Sequence, residues 1–188
     1  MNVVCKQWTE NLEANGYHID DILSLIKEAY RVRLKEGISF ATLNYTIDDF
    51  LAERTDNDYW FLAFDEKDLL LGTARLTIKG NYGEICNFAV LPNCQGKHIG
   101  SLLLQASNRF AQNRNMDYLV SYTAVNASSS VSCHLNNGFC IAGIGKDKNR
   151  CYTSYYFRNQ ISNSLFWKCC LFVKIRYYLS YIKLLIME

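Results

Sequence analysis

The segment GEICNFAVLPNCQGKHIGSLLL, residues 83–104, changes from a strand pattern to a helix pattern along its length. Its first half is a mostly apolar run that reaches Pro92, and its second half begins the apolar spacing of an amphipathic helix. Gly96 and Gly100 flank the turn, where glycine lets the backbone bend tightly and lets a ligand approach without Cβ atoms in the way. Because the first N–H groups of a helix lack intrahelical partners and its dipole is positive there, the turn suits a phosphate or pyrophosphate.

The turn by itself is a weak signal. It is not a Walker A loop, which needs G-x-x-x-x-G-K-[ST], and it is not the G-x-G-x-x-G of dinucleotide-binding folds. Lys97 and His98 would add positive charge to a phosphate site. From these residues alone, a bare turn between a strand and a helix remains the alternative interpretation.

Hydrophobic periodicity on both sides of the turn predicts seven strands and four helices. The second helix opens on a capping box of Thr46 and Asp49, with aspartate in the position that usually holds glutamate or glutamine. The predicted order, β-α-α-β-β-β-α-β-α-β-β, indicates an α/β (α+β) fold with one mixed, mostly antiparallel sheet flanked by helices. The predicted strands are residues 3–8, 59–64, 69–78, 84–91, 118–123, 139–144 and 152–157, and the predicted helices are residues 19–34, 46–54, 100–113 and 128–137.

The composition, with 49% apolar residues in a chain of 188, indicates one globular domain with a sizeable core. The first residues lack the basic start and apolar run of a secretory signal. The eight cysteines are therefore expected to be reduced thiols, and a cytoplasmic location is predicted. No metal site is expected, because the chain has no C-x-x-C pair and its three histidines are scattered.

Charge is distributed unevenly along the chain. Residues 1–145 hold 12 Lys/Arg and 16 Asp/Glu, which gives −4, and residues 146–188 hold 8 and 2, which gives +6. A basic end of this kind is typical of an anionic partner, such as a phosphorylated ligand or a membrane surface, or of a solvated basic face. No nucleic-acid partner is predicted.

Residues 83–104 resemble the acetyl-CoA-binding motif of the GNAT superfamily of N-acetyltransferases. In that motif a strand ending in an apolar-Val-x-Pro segment leads into Q/R-x-x-G-x-G/A and then a helix. The family usually has glycine where His98 stands, so this side chain must point away from the pyrophosphate or hydrogen-bond to it. Downstream, VNASSSVSCHLNNGF, residues 125–139, looks like the family's Asn-led helix followed by Gly-Phe. The element order agrees over roughly residues 2–158 and predicts an acetyltransferase domain at 1–160.

The resemblance implies that acetyl-CoA binds in a cleft between two parallel strands that splay apart at a bulge in the fourth strand. Backbone groups near Val90 would bond the pantetheine arm, and the amide of Val90 would polarise the thioester carbonyl. N–H groups of the turn would hold the pyrophosphate, and Asn126 would bond the arm from the other side. The cofactor-binding residues predicted in this way are Phe88, Ala89, Val90, Gln95, Gly96, Lys97, His98, Ile99, Gly100, Ser101 and Asn126.

Two residues are predicted to be catalytic. Glu84 resembles the glutamate that histone acetyltransferases of this superfamily carry at this point, and regular alternation would place it on the face of the strand shared by residues 86, 88 and 90. It would act as the base for the acceptor amine; the alternative is a glutamate in solvent. His134 stands where the family often has a tyrosine acid, and it would either protonate the departing thiolate or be a polar residue on the helix surface. Tyr122 and Cys133 are fallback acids.

The acceptor site is expected between the loop of residues 35–45 and the hairpin of residues 145–150. The loop carries Phe40, Asn44 and Tyr45, and the hairpin carries Lys146, Asp147, Lys148 and Arg150. Aromatic and polar residues suit an amino sugar or another small polar amine, and a basic hairpin suits a phosphorylated one. The predicted function is direct N-acetyl transfer to such an acceptor. The alternatives are a protein-lysine acetyltransferase and a weakly catalytic acyl-CoA-binding module.

The C-terminal segment, residues 161–188, extends beyond the resemblance and is predicted to be an amphipathic, basic and aromatic helix. Four cations between Leu165 and Met187 argue against a membrane-spanning helix. Three interpretations remain for 165–187: peripheral contact with an anionic inner membrane surface, packing on the domain, and a homodimer contact.

Overall fold

The computed structural model describes residues 3–8, 18–146 and 151–162. In this part of the chain, seven strands form one sheet in the order β1-β2-β3-β4-β5-β7-β6. Every neighbouring pair is antiparallel except β4 and β5, which are parallel. The strands are β1 (Val4–Trp8), β2 (Asp58–Phe64), β3 (Leu70–Lys79), β4 (Tyr82–Val90), β5 (Tyr118–Ala124), β6 (Cys140–Gly145) and β7 (Ser154–Gln160).

The helices lie in two layers, one on each face of the sheet. One layer holds α1 and α2, whose buried residues pack with Trp60, Leu62 and Phe64 of β2. The other holds α3, which packs on β1 to β5, and α4, which packs on β5, β6 and α3. The helices are α1 (Ile19–Arg31), α2 (Ile47–Ala52), α3 (Ile99–Asn113) and α4 (Ser128–Asn136).

The predicted fold class is confirmed. The first helix is shorter than predicted because it ends at Arg31 and continues as a 3₁₀ turn, Val32–Glu36, which Gly37 closes at φ 74°. Both hydrogen bonds of the predicted capping box are present: Asp49 N–H donates to the Thr46 side chain, and Thr46 N–H donates to the Asp49 side chain. The predicted C-terminal helix and hairpin residues 147–150 lie outside the described residues. Among the helices that are described, none has the length and apolar character needed to cross a membrane.

Strand β4 contains a bulge that changes which side chains share a face. Its residues Ala89 and Cys86 pair with Thr73 and Arg75 of β3, so two residues of β4, at positions 87 and 88, face a single residue of β3. Asn87 takes up the extra length at φ 47°.

The bulge contradicts the predicted face of Glu84. Paired residues of neighbouring strands share a face, so Glu84, Cys86 and Ala89 all lie on the α1 and α2 side. Phe88 and Val90 pack in the α3 layer on the other side. The predicted alternation of side chains between the two faces is therefore wrong beyond Cys86, because the extra residue of the bulge shifts every later residue by one position.

Candidate active site

A cleft opens where β4 and β5 stop pairing. Their last paired residues are Ile85 and Ser121, and beyond them lies a cavity of about 360 Å³. Residues of β4, β5, α1, α4 and the turn before α3 line it. Splayed parallel strands and a bulge in the fourth strand are the arrangement that the resemblance implied.

The turn before α3 lines this cavity and has N–H groups that donate to no described residue. Gly96 and His98 both adopt left-handed backbone conformations, with φ 76° and φ 62°. The first helical hydrogen bond of α3 runs from Leu102 N–H to His98 O at 3.0 Å. The N–H groups of residues 99–101 precede that bond and, with the dipole of a fifteen-residue helix, form a site that fits a phosphate.

The conformation of His98 explains why the family usually has glycine there. A left-handed residue with a Cβ atom costs roughly 1–2 kcal/mol, which glycine avoids. His98 is exposed and lines the cavity. Lys97 is exposed and does not line it.

Gln95 holds the end of β4 to the turn. Its N–H donates to Pro92 O at 3.3 Å, and its side-chain Nε2–H donates to Val90 O at 3.2 Å. The Gln95 N–H therefore closes a 3₁₀ turn, and the side chain fixes the edge of the cleft.

Asn126, expected on the other side, does not line the cavity, and its Nδ2–H donates to Glu36 O at 2.8 Å.

The β4 wall of the cleft has one donor and one acceptor suited to the amides of a pantetheine arm. Leu91 N–H donates to Leu71 O of β3 at 2.9 Å, so Val90 N–H, one residue earlier in an extended strand, points to the opposite edge, where β5 has diverged. Asn87 Oδ1 is buried in the cavity wall and accepts no hydrogen bond from any described residue. A buried, unpaired acceptor of this kind needs a partner, and an amide N–H of the arm would supply it. The residues present therefore fit acetyl-CoA.

Helices α3 and α4 approach closely beside the turn. A Cβ atom on Gly100 would lie 3.1 Å from both Cys133 Sγ and Phe88 Cζ, so only glycine fits there without displacement. Asn137 Nδ2–H donates to Ser101 Oγ at 3.0 Å and to Cys133 O at 2.8 Å. These contacts fix the start of α3 against α4.

His134 is fully buried, so the interpretation as a helix-surface residue is wrong. Its ring packs against three phenylalanines, Phe88, Phe139 and Phe157, and does not line the cavity. Burial lowers the pKa of His134 and favours the neutral imidazole.

Glu84 lies beside the cleft and does not line the cavity. It pairs with Val120 of β5 and forms an ion pair with Lys79. The hydrogen bond from Lys79 to Glu84 raises the pKa of Lys79. Cys86, on the same face, does line the cavity.

Three thiols line the cavity, those of Cys86, Cys94 and the fallback acid Cys133. Burial raises the pKa of Cys86 to about 11 and also raises that of Cys133. The thiols of Cys86 and Cys133 therefore stay protonated near neutral pH. No cluster of metal-ligating side chains occurs among residues 3–8, 18–146 and 151–162.

The α1 side of the cavity is enclosed by Tyr30, Arg33 and Phe40, of which the sequence singled out only Phe40. Tyr30 stacks on Phe40 with ring centroids 4.1 Å apart, and Phe40 contacts Tyr152 at 5.4 Å. Arg33 lines the cavity, forms an ion pair with Glu36 at 2.9 Å and donates to Ser129 Oγ at 2.7 Å. Phe40 was predicted here; Tyr45 and Asn44, from the same loop, do not line the cavity.

Comparison with known proteins agrees with this geometry. The family model described as Acetyltransferase (GNAT) family matches residues 19–139. No curated protein sequence matches the chain significantly.

Many solved structures share the fold. The PaiA N-acetyltransferase from Thermoplasma acidophilum in complex with coenzyme A is 18% identical, with a TM-score of 0.65 over 85% of this chain and 99% of that one. The ribosomal-protein-S18-alanine N-acetyltransferase from Escherichia coli is 13% identical, with a TM-score of 0.63 over 86% and 96%. A GNAT-family acetyltransferase from Streptococcus pneumoniae is 18% identical, with a TM-score of 0.61 over 86% and 100%.

Proposed function

Because this chain belongs to the acetyltransferase (GNAT) family and is an acyltransferase that uses acetyl-CoA, we propose that it acetylates the amine of a small polar acceptor. The acceptor class is an amino sugar or a nucleotide-linked amino sugar, and the acetyl group moves directly from the thioester to the amine. Acetyl-CoA supplies the activated acetyl group.

This proposal rests on the enclosure of the α1 side of the cavity. The loop after α1 is joined to the start of α4 by Arg33 and Ser129 and to the start of β7 by Phe40 and Tyr152. Cys151 adds a contact from its Sγ to Ser39 O at 3.7 Å. These bridges enclose the α1 side of the cavity, and they favour a compact acceptor over an extended peptide.

The side chains around the enclosed space suit a sugar. Tyr30 and Phe40 offer aromatic rings, whose faces and edges pack against the apolar face of a pyranose. Arg33, with only 17% of its side chain exposed, supplies hydrogen-bond donors for a phosphate or for ring hydroxyls. No carboxylate is among the described residues that line the cavity, which favours an acceptor that carries anionic rather than extra cationic groups.

Glu84 remains the proposed base. It lies on the α1 side of β4, two residues before Cys86, which lines the cavity. An acceptor bound on this side would release its ammonium proton toward Glu84, and Lys79 would stabilise the carboxylate. Val90 N–H would bond an amide of the pantetheine arm between the turn and the thioester.

The test is acetyl-CoA turnover, followed by thiol release, with D-glucosamine, glucosamine 6-phosphate, a nucleotide-linked glucosamine and a lysine-containing peptide. The proposal expects turnover with one of the sugars and none with the peptide. Turnover with the peptide alone would establish the protein acetyltransferase instead. Binding of CoA without turnover of any amine would establish the acyl-CoA-binding module.

A paired substitution tests the position of the acceptor. Phe40→Ala should raise the KM of the accepted sugar at least about tenfold, which corresponds to about 1.4 kcal/mol, and leave the KM of acetyl-CoA unchanged. Ile47→Ala is the control, because Ile47 is 42% exposed on α2 and does not line the cavity. Equal kinetics for the two variants would contradict an acceptor site at Phe40.

A further inference from the structure

Ser121 occupies the inner end of the cleft. It pairs with Ile85 in the last β4–β5 pair and lines the cavity. The phosphate-binding turn follows the carboxyl end of β4, at the opposite end of the cleft. An acetyl donor with its phosphates at the turn and its arm between the strands therefore points its thioester toward Ser121.

The hydroxyl of Ser121 is held by a buried imidazole. His134 Nδ1 lies 2.8 Å from Ser130 O, and a carbonyl only accepts, so this nitrogen carries the proton. In the neutral ring, His134 Nε2 is then an acceptor, and it lies 3.0 Å from Ser121 Oγ. Ser121 O–H donates to His134, and the lone pairs of Ser121 are left for a donor in the cleft.

Among the described residues, only one hydrogen-bond partner of His134 can connect its ring to the substrates. Three phenylalanine rings pack around the imidazole with centroids 4.9–5.3 Å away. Of its two polar partners, Ser130 O takes the Nδ1 proton, and only Ser121 stands at the apex of the cleft. Any chemical action of His134 on the reacting atoms therefore passes through Ser121.

We propose that Ser121 is a catalytic hydroxyl that carries a proton from the attacking amine to the departing sulfur, with His134 acting through it. The new C–N bond forms and the C–S bond breaks. Ser121 Oγ takes the N–H proton of the attacking nitrogen while its own proton moves to His134 Nε2. The imidazolium then returns that proton to Ser121, which gives one to the thiolate, so one proton passes from nitrogen to sulfur and the dyad is regenerated.

This relay is separate from the action of Glu84. Glu84 would remove the proton of the ammonium before attack, from the opposite face of the sheet. Because burial disfavours the imidazolium, His134 gives its proton back readily. The relay rests on acetyl transfer to an amine, and it does not depend on which amine is accepted.

The first test needs no acceptor. Nitrogen-15 NMR of the three histidines, assigned with His18→Gln and His98→Gly, should show His134 as the neutral Nδ1–H tautomer. Saturating acetyl-CoA, with binding verified by calorimetry, should shift the Nε2 resonance in wild type and not in Ser121→Ala. An Nε2–H tautomer, or an unchanged resonance with bound acetyl-CoA, would overturn the proposal.

The second test separates kcat from KM with D-glucosamine as acceptor. Ser121→Ala should lower kcat about 10²- to 10⁴-fold with little change in the KM of acetyl-CoA, and Ser121→Thr should restore much of the rate. Ser154→Ala is the matched control, since Ser154 is a buried serine on β7 that does not line the cavity. Wild-type kcat in Ser121→Ala would overturn the relay.

A double-mutant cycle tests whether the two residues act as one unit. His134→Phe keeps the ring packing and removes the nitrogen, and adding it to Ser121→Ala should cause little further loss of kcat. If the decrease in kcat of the double variant equals the product of the two single decreases, the residues act independently and the shared relay is contradicted. If wild type accepts another of the three sugars but not D-glucosamine, that sugar replaces it in these assays. If wild type accepts none of them, the acceptor proposed above fails, and the NMR result alone decides the relay.

Discussion

The left-handed backbone of the turn before α3 allows a prediction about protein stability. The prediction isolates one quantity, the free-energy cost of a left-handed conformation in a residue that has a Cβ atom. Gly96 has φ 76° and Gly145 has an ordinary negative or extended φ. Among the described residues, no heavy atom lies within 4 Å of a Cβ built on either glycine. Gly96→Ala and Gly145→Ala therefore add the same methyl group to open space and differ in the backbone conformation that alanine has to adopt.

The expected difference follows from two terms. Replacing glycine by alanine restricts the unfolded chain and stabilises the protein by about 0.4–1 kcal/mol wherever the native conformation permits it. This term is common to both variants. Only Gly96→Ala also pays the roughly 1–2 kcal/mol of a left-handed residue with a Cβ atom, so its free energy of unfolding should be lower than that of Gly145→Ala by about 1–2 kcal/mol.

Urea denaturation without ligand measures this difference, since both variants expose the same surface and should share one m value. His98→Gly provides the reverse experiment at φ 62°. There the relief of the left-handed strain exceeds the added freedom of the unfolded chain, and a gain of about 0.5–1 kcal/mol is expected. Equal stabilities for Gly96→Ala and Gly145→Ala, within about 0.3 kcal/mol, would refute the left-handed conformation and the phosphate geometry built on it.

Four further predictions concern the cofactor, the base, the buried histidine and the C-terminal segment. Gly96→Val should weaken CoA binding in calorimetry with the fold retained, whereas Gly100→Val should also destabilise the protein, because its Cβ would meet two side-chain atoms at 3.1 Å. Glu84→Gln should slow turnover near neutral pH and less at high pH, where the amine loses its proton unaided; an unchanged pH-rate profile would remove Glu84 from the mechanism. Because burial lowers the pKa of His134, the unfolded chain binds this proton more tightly, so wild type should lose more stability than His134→Phe as pH falls below about 6.5. Full-length protein, but not a chain lacking residues 161–188, should sediment with anionic vesicles at low salt if the segment meets membrane; no sedimentation of either would leave packing or dimerisation.

Much of the fold was predictable because it is encoded locally. Alternation and helical spacing predicted the described strands and α-helices in their order, and the capping box at Thr46 needs only residues three positions apart. The turn at 95–100 was also predictable, since glycine at positive φ and a following helix are properties of neighbouring residues.

The parts of the site that were missed depend on contacts between distant residues. Arg33 and Ser129 meet only after α1 and α4 have packed on the sheet, and nothing in a helical pattern marks Arg33 as facing a cavity. The same holds for His134, whose partner Ser121 comes from another element. The weak amphipathic pattern of α4 does not show whether its one histidine is buried or exposed. The elements that pack against the helix decide it.

The bulge in β4 makes the number of residues in this strand as important as their identity. Removing Asn87 would restore a regular two-residue repeat with Phe88 alone opposite Ala74, so that the residues from Phe88 onward would keep their faces while the strand lost its kink. Phe88 would stay on the side of His134, and the straightened strand could continue its ladder with β5 past Ile85. A deletion of one codon would thus turn an open groove into ordinary sheet, whereas most single substitutions along the same strand would leave the groove in place.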